Sequence, residues 1–280
     1  MNPAFPRQLN RIGQRPQTSS NAMPVVRETA IVGTALFLYL FVRGLIRGRE
    51  GAAFDHAARL VDLERRLGVF WEPRLQAWAL AHAWIVTLAN WVYVFAFWPV
   101  LAGTMAWLFV RHRGVVAVYR NALLISGAIG LVCFALFPVA PPRFLSGWGF
   151  VDTVAVGSDT YAALYPRSVA NWYAAMPSLH VGWTLLMGIA LATRARNRFV
   201  RAVGIVLPPL MYAATVLTAN HYLADGLAGA VVVLVGLGVA LRLERQPAER
   251  GVLDDPLMVG KAAPANGTRR RERRGDPAGA

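Results

Sequence analysis

Apolar residues in this chain come in long runs, with polar positions gathered between them. Residues 28–46, 83–110, 115–137, 179–193, 199–218 and 222–241 are dominated by Leu, Val, Ile, Ala, Phe and Trp. An unbroken apolar stretch of roughly 18 residues suffices to cross a hydrocarbon core as a helix. The pattern predicts six transmembrane helices. Within 83–110 only Asn90 and Pro99 interrupt the run, and a proline permits a kink without ending a span. Asn90 and Tyr93 are three apart and share a helix face. They are expected to point into the bundle, for helix–helix hydrogen bonding ahead of substrate contact.

Residues 51–81 follow another pattern, with apolar and charged residues at helical spacing. Leu60, Leu63 and Leu67 fall on one predicted face, with Arg59, Asp62 and Arg66 displaced from it. The segment reads as an amphipathic helix on the membrane surface after the first span, with Trp71 and Trp78 as interfacial anchors. A solvated connector helix is the competing reading. The Pro-, Ser- and Arg-rich residues 1–26 read as a disordered basic tail, and so do the Arg-, Pro- and Gly-rich residues 244–280. Between them, 27–243 forms one membrane domain. The loop 138–176 carries enough Trp, Tyr and Phe to pack as a structured lid. The fold class expected is an all-α integral membrane bundle.

Composition sharpens this picture. Hydrophobic residues make up 56% of the 280 and charged residues only 16%, with mean hydropathy +0.41; a soluble domain carries about 25% charged residues. The single cysteine, Cys133, excludes an internal disulfide and a cysteine metal cluster. A net charge of +14 would suit a nucleic-acid partner, but the arginines are segregated into loops and tails. That segregation is a topology signal and an attraction for anionic lipid. The run at 28–46 is read as a retained helix, since no convincing cleavage site accompanies it.

Six spans put both termini on one side. That side receives Arg7, Arg11, Arg15 and Arg27, and the short loops with Arg111, Arg113 and Arg120 and with Arg194, Arg196, Arg198 and Arg201. The opposite side keeps Arg143, Arg167 and the amphipathic segment. The bias places both termini in the cytoplasm. His180 then begins the fourth span and His221 the sixth, both from the outer side, where the lid also lies.

Ionisable residues at the mouths of membrane helices are costly and point to function. His221 and Asp225 are four apart and share a helix face. A carboxylate holding one imidazole nitrogen makes the other a better base or nucleophile. His180, from another helix, can serve as the opposing acid. Helix N-termini suit a phosphate, and Arg143 in Pro141-Pro142-Arg143 can add a bidentate contact. The set fits phosphoryl transfer through a phosphohistidine on a lipid phosphate or phospholipid, with no metal or other cofactor. Arg167, Ser178 and Asn220 are further candidate substrate contacts. A non-catalytic lipid-binding scaffold stays open as the alternative, and bis-histidine haem ligation by His180 and His221 as a lesser one.

Met176-Pro177-Ser178-Leu179-His180, followed by Asn220-His221-Tyr222-Leu223-Ala224-Asp225, resembles the type 2 phosphatidic acid phosphatase superfamily. Within it the chain is most similar to the inositol phosphorylceramide synthase branch, the aureobasidin-resistance proteins. The resemblance implies that His221 takes the phosphoryl group, Asp225 orients it, His180 protonates the leaving oxygen and then activates the acceptor, and Arg143 holds the phosphate. The chain departs from the superfamily's phosphatases. It has Leu179 where they have Gly and Thr215 where they have Arg, and it lacks their Lys-x6-Arg-Pro element. These departures favour the synthase-like branch; the resemblance implies an inositolphosphotransferase-type activity, and the expected location is the plasma membrane.

Overall fold

A computed structural model describes residues 30–31, 33–35, 37–38, 41, 48–157 and 173–253. The tail at 1–26, most of the run at 28–46, the lid residues 158–172 with Arg167, and 254–280 lie outside the described residues. The chain divides into Met1–Leu241, which holds the site described below, and Arg242–Ala280. Its helices are α1 (Glu50–Arg66), α2 (Glu72–Leu80), α3 (Ala83–Arg111), α4 (Arg113–Leu136), α5 (Thr153–Gly157), α6 (Leu179–Arg194), α7 (Arg198–Leu217) and α8 (Leu223–Leu253). The last continues past the boundary expected at residue 243.

Among the described residues, four helices are long and apolar enough to cross a membrane: Ala83–Arg111, Arg113–Leu136, Arg198–Leu217 and Leu223–Glu244. The protein is therefore an integral membrane protein built from helices. Of the six spans the pattern predicts, these four have the length and apolarity of a span. The described residues between 30 and 41 are helical. Helix α6 has 16 residues, about 24 Å at the usual rise, which is short of a roughly 30 Å core. It is the centre of the bundle, buried along Val181, Gly182, Thr184, Leu186, Met187, Gly188 and Ala190. Helices α3, α4 and α7 pack around it.

Missing side chains make that packing possible. A Cβ on Gly182 would stand 2.6 Å from the Gly229 carbonyl oxygen, and one on Gly229 only 2.1 Å from the Ser178 oxygen. Only a backbone without side chains lets α6 and α8 approach this closely.

Helix α3 passes through a π turn at Val92–Ala96. Pro99 accounts for it: a proline cannot donate to the carbonyl four residues back, and its ring clashes there. That carbonyl belongs to Phe95, inside the turn. A π turn absorbs such a defect and is frequent at functional sites.

Helix α1 is amphipathic, but not on the face expected. Ala53, Ala57, Leu60, Val61 and Glu64 are buried, whereas Leu63 and Leu67 are exposed. Ala53, Ala57, Leu60 and Val61 pack in one cluster with Val139, Ala140, Ala175 and Tyr222. Trp71 and Trp78 are exposed.

The described part of the lid is ordered by hydrogen bonds. The Val139 N–H donates to Tyr173 O at 2.9 Å, and that of Ala140 to Ala53 O at 3.0 Å. The Gln76 side chain pairs with both backbone groups of Val151, at 2.8 and 3.0 Å. Asn90 points inward as expected, but its partner is the lid: it donates to Thr153 O and accepts from the Thr153 hydroxyl.

Candidate active site

The turn from α7 into α8 is tight. The Asn220 and His221 N–H groups both donate to Thr215 O, at 3.0 and 3.2 Å. Ala219 adopts φ +52°, a left-handed conformation uncommon outside glycine and typical of constrained functional turns. The turn buries His221, 5% exposed, and Asp225, fully buried.

The His221 Nδ1 lies 2.8 Å from Ala175 O. A carbonyl only accepts, so Nδ1 carries the proton and Nε2 keeps its lone pair. The Asp225 Oδ2 stands 3.4 Å from the same Nδ1 and also accepts the Tyr222 N–H at 2.9 Å. Asp225 thus holds both the imidazole and the first turn of its helix. The Ala175 carbonyl, which makes the shorter contact, carries no sequence signal beyond its place beside Met176-Pro177-Ser178.

His180 enters from the first turn of α6. Its ring lies 4.7 Å from Tyr93 and 4.3 Å from Phe97, centroid to centroid. The π turn of α3 delivers both aromatics. The His180 and His221 rings are 6.1 Å apart. The two imidazoles therefore share one site at the N-terminal ends of α6 and α8.

The remaining candidates take different places. Arg143 donates to the Asn220 Oδ1, lies 3.6 Å from an Asp152 oxygen, and is anchored through its own N–H to Ala219 O at 2.8 Å. Its charge acts on the His180 imidazole. Asn220 is buried, and its amide donates to the Thr218 hydroxyl at 2.8 Å; it holds Arg143 within the site. Ser178 is fully buried and caps α6, accepting from the Val181 N–H at 3.4 Å. Arg167 lies outside the described residues. Among those residues, no group of three or more His, Cys, Asp or Glu side chains is gathered as a metal site requires.

Two residues went unread in the sequence. Glu64 Oε1 accepts the Ala224 N–H and Glu72 Oε1 the Leu223 N–H, both at 2.9 Å. Both sit in the amphipathic segment, where a glutamate ordinarily marks a solvated face; only contacts over 150 residues away reveal them.

Apolar helices, four of them of membrane-spanning length, bring two histidines and an aspartate together at the N-terminal ends of α6 and α8, the arrangement of a membrane protein with a buried polar site. Over residues 58–239, well over half of its length, the chain matches the PAP2 superfamily, and it belongs to that superfamily. No curated protein and no solved structure matches the chain. Membership supports a membrane enzyme of the lipid phosphatase or phosphotransferase kind.

Proposed function

We propose that the protein transfers the phosphoryl or phosphoalcohol group of a lipid by way of a phosphohistidine on His221. Nε2 of His221 attacks phosphorus as the bond to the leaving oxygen breaks, and His180 gives that oxygen its proton. His180 then takes a proton from water or an alcohol, whose oxygen attacks phosphorus and breaks the P–N bond. Asp225 and the Ala175 carbonyl hold Nδ1–H throughout. Arg143, held beside the site by Asn220 and by its own N–H on Ala219 O, contacts the phosphate with its guanidinium.

The observation that carries this reading is the 6.1 Å between the imidazoles, with the Nδ1 of His221 spoken for. Reacting atoms sit about 3–3.5 Å apart in a productive complex, so two such contacts on one phosphorus group span a similar distance.

The synthase-like branch is supported by Thr215. It is fully buried, donates its hydroxyl to Tyr212 O at 2.8 Å and builds the turn with its carbonyl, so the phosphatases' arginine has no counterpart there. An alcohol acceptor then replaces water. The basic short loops support cytoplasmic termini and an outward-facing site in the plasma membrane.

The test is turnover of a labelled polyprenyl phosphate, phosphatidate and phosphatidylinositol by purified protein, with and without an alcohol acceptor. A phosphorylated His221 trapped after acid-free quench supports the mechanism. Unchanged turnover in folded His221→Ala ends it, and wild-type protein inert on the whole panel favours the scaffold.

A further inference from the structure

The N-terminal turn of α8 is held in an unusual way. The first N–H groups of a helix have no partner within it and usually find one in a nearby cap side chain. Here Tyr222 precedes the helix. Its hydroxyl goes to Ala140 O at 3.0 Å and its N–H to Asp225. Two carboxylates from elsewhere take the next two N–H groups: Glu72 of α2 takes that of Leu223, and Glu64 of α1 that of Ala224. Both side chains are buried, 2% exposed for Glu64 and 0% for Glu72. Each leaves its Oε2 without a hydrogen-bond partner among the described residues, and because their Oε1 atoms take the N–H groups of consecutive residues the two carboxyls sit side by side.

The groups that face this pair are acidic or neutral. Asp225 comes from α8 and Tyr212 from α7, with Tyr222 from the turn. Gln76 of α2, beside Glu72, is engaged with Val151 and Leu217. Two carboxylates that cannot both ionise in one dry pocket hold a proton between them. A shared proton gives each otherwise unpartnered oxygen a role, and leaves one negative charge against the positive end of α8. Burial, and then the contact with Glu72, push the Glu64 carboxyl up to about 8.

We infer that Glu64 and Glu72 are positioning residues for the reaction: as a pair sharing one proton, they clamp the first turn of α8 and thereby set where Asp225 and His221 meet the substrate. The amphipathic segment is thus part of the catalytic apparatus as well as a surface element. The inference rests on the proposed role of His221.

The experiment is the pH profile of kcat for wild type, Glu64→Gln and Glu64→Ala on the lipid phosphate the wild type turns over. Deprotonation adds a second negative charge beside Asp225, so wild-type kcat falls on the alkaline side with a midpoint near pH 8. Glutamine mimics the neutral acid, donating one hydrogen bond and accepting another. Glu64→Gln therefore keeps kcat at pH 6.5 within about threefold and loses the alkaline fall, whereas Glu64→Ala loses roughly tenfold or more in kcat with little change in KM. An active wild type whose alkaline fall persists unchanged in Glu64→Gln overturns the positioning role alone. Inert wild-type protein sinks the His221 reading, and the positioning role with it. Should Glu64→Ala fail to fold, the Gln profile decides by itself.

Discussion

The two ends of α6 handle charge in opposite ways. At its N-terminal end, His180, His221, Asp225, Arg143, Glu64 and Glu72 bring charges of both signs together, wholly or largely buried, and each carboxylate accepts a backbone N–H of the turn into α8 or shares His221. At its C-terminal end, Arg194, Arg196, Arg198 and Arg201 line up with Arg111 and Arg113, charges of one sign. The histidine at that end, His112, has its imidazole pushed below the usual range by burial and by Arg194, Arg196 and Arg111. Mixed charges can be buried because they pair. Charges of one sign repel one another and favour water over a dry interior. One end gathers charges of both signs and the other charges of one sign.

The contrast breaks most sharply at His221. His221→Ala should reduce turnover by about 10⁴-fold or more, as losing a nucleophile does, with folded yield unchanged by gel filtration. Comparable losses from removing arginines at the far end would erase the distinction. His180→Ala should cost about 10²–10⁴-fold, the range for a general acid–base, and a leaving group that needs no proton should recover most of that loss.

Gly229→Ala comes next. Its Cβ would collide with the Ser178 carbonyl at 2.1 Å, which would drive the start of α6 away from α8. A displacement near 1 Å can cost about 10²-fold in rate, and overpacking costs about 1–3 kcal/mol in stability. Gly238→Ala, with nothing within 4 Å of the new Cβ, should shift stability by under about 0.5 kcal/mol. Thermal unfolding of both variants in detergent separates them.

The smallest effect belongs to His112. Its folded pKa is depressed, so the unfolded chain binds more protons as pH falls through the normal histidine range near 6.5. Stability is then full above that range and declines below it. His112→Gln should lose this acid-side decline and leave kcat unchanged, read from Tm at pH 5 and pH 7.5.

Much of this architecture could be read before any coordinates. The runs at 83–110, 115–137, 199–218 and 222–241 correspond to the four described helices long and apolar enough to span, because a hydrocarbon solvent selects for length and polarity. The two histidines and the aspartate were legible for the same reason: polar groups beside apolar runs are costly unless used. The Leu60–Leu63–Leu67 face was read only in part: Leu60 is buried, but α1 turns Ala53, Ala57 and Val61 inward with it and leaves Leu63 and Leu67 exposed, because periodicity does not say which edge of an apolar face meets its partner. The expected pairing of Asn90 within the bundle failed in a similar way, since a single amide reveals that it needs a partner but not which one.

The linear chain, by itself, determined which segments prefer lipid, where the positive charge collects and which imidazoles stand at a helix mouth. Each of these is a property of one stretch in its solvent. Tertiary structure alone decided that a backbone carbonyl at Ala175 sets the His221 tautomer, that Tyr93 and Phe97 wall in His180, and that Glu64 and Glu72 reach across to the start of α8. Those outcomes depend on distances between segments remote in the chain, and such distances are settled by glycine contacts and side-chain packing that no periodic pattern encodes.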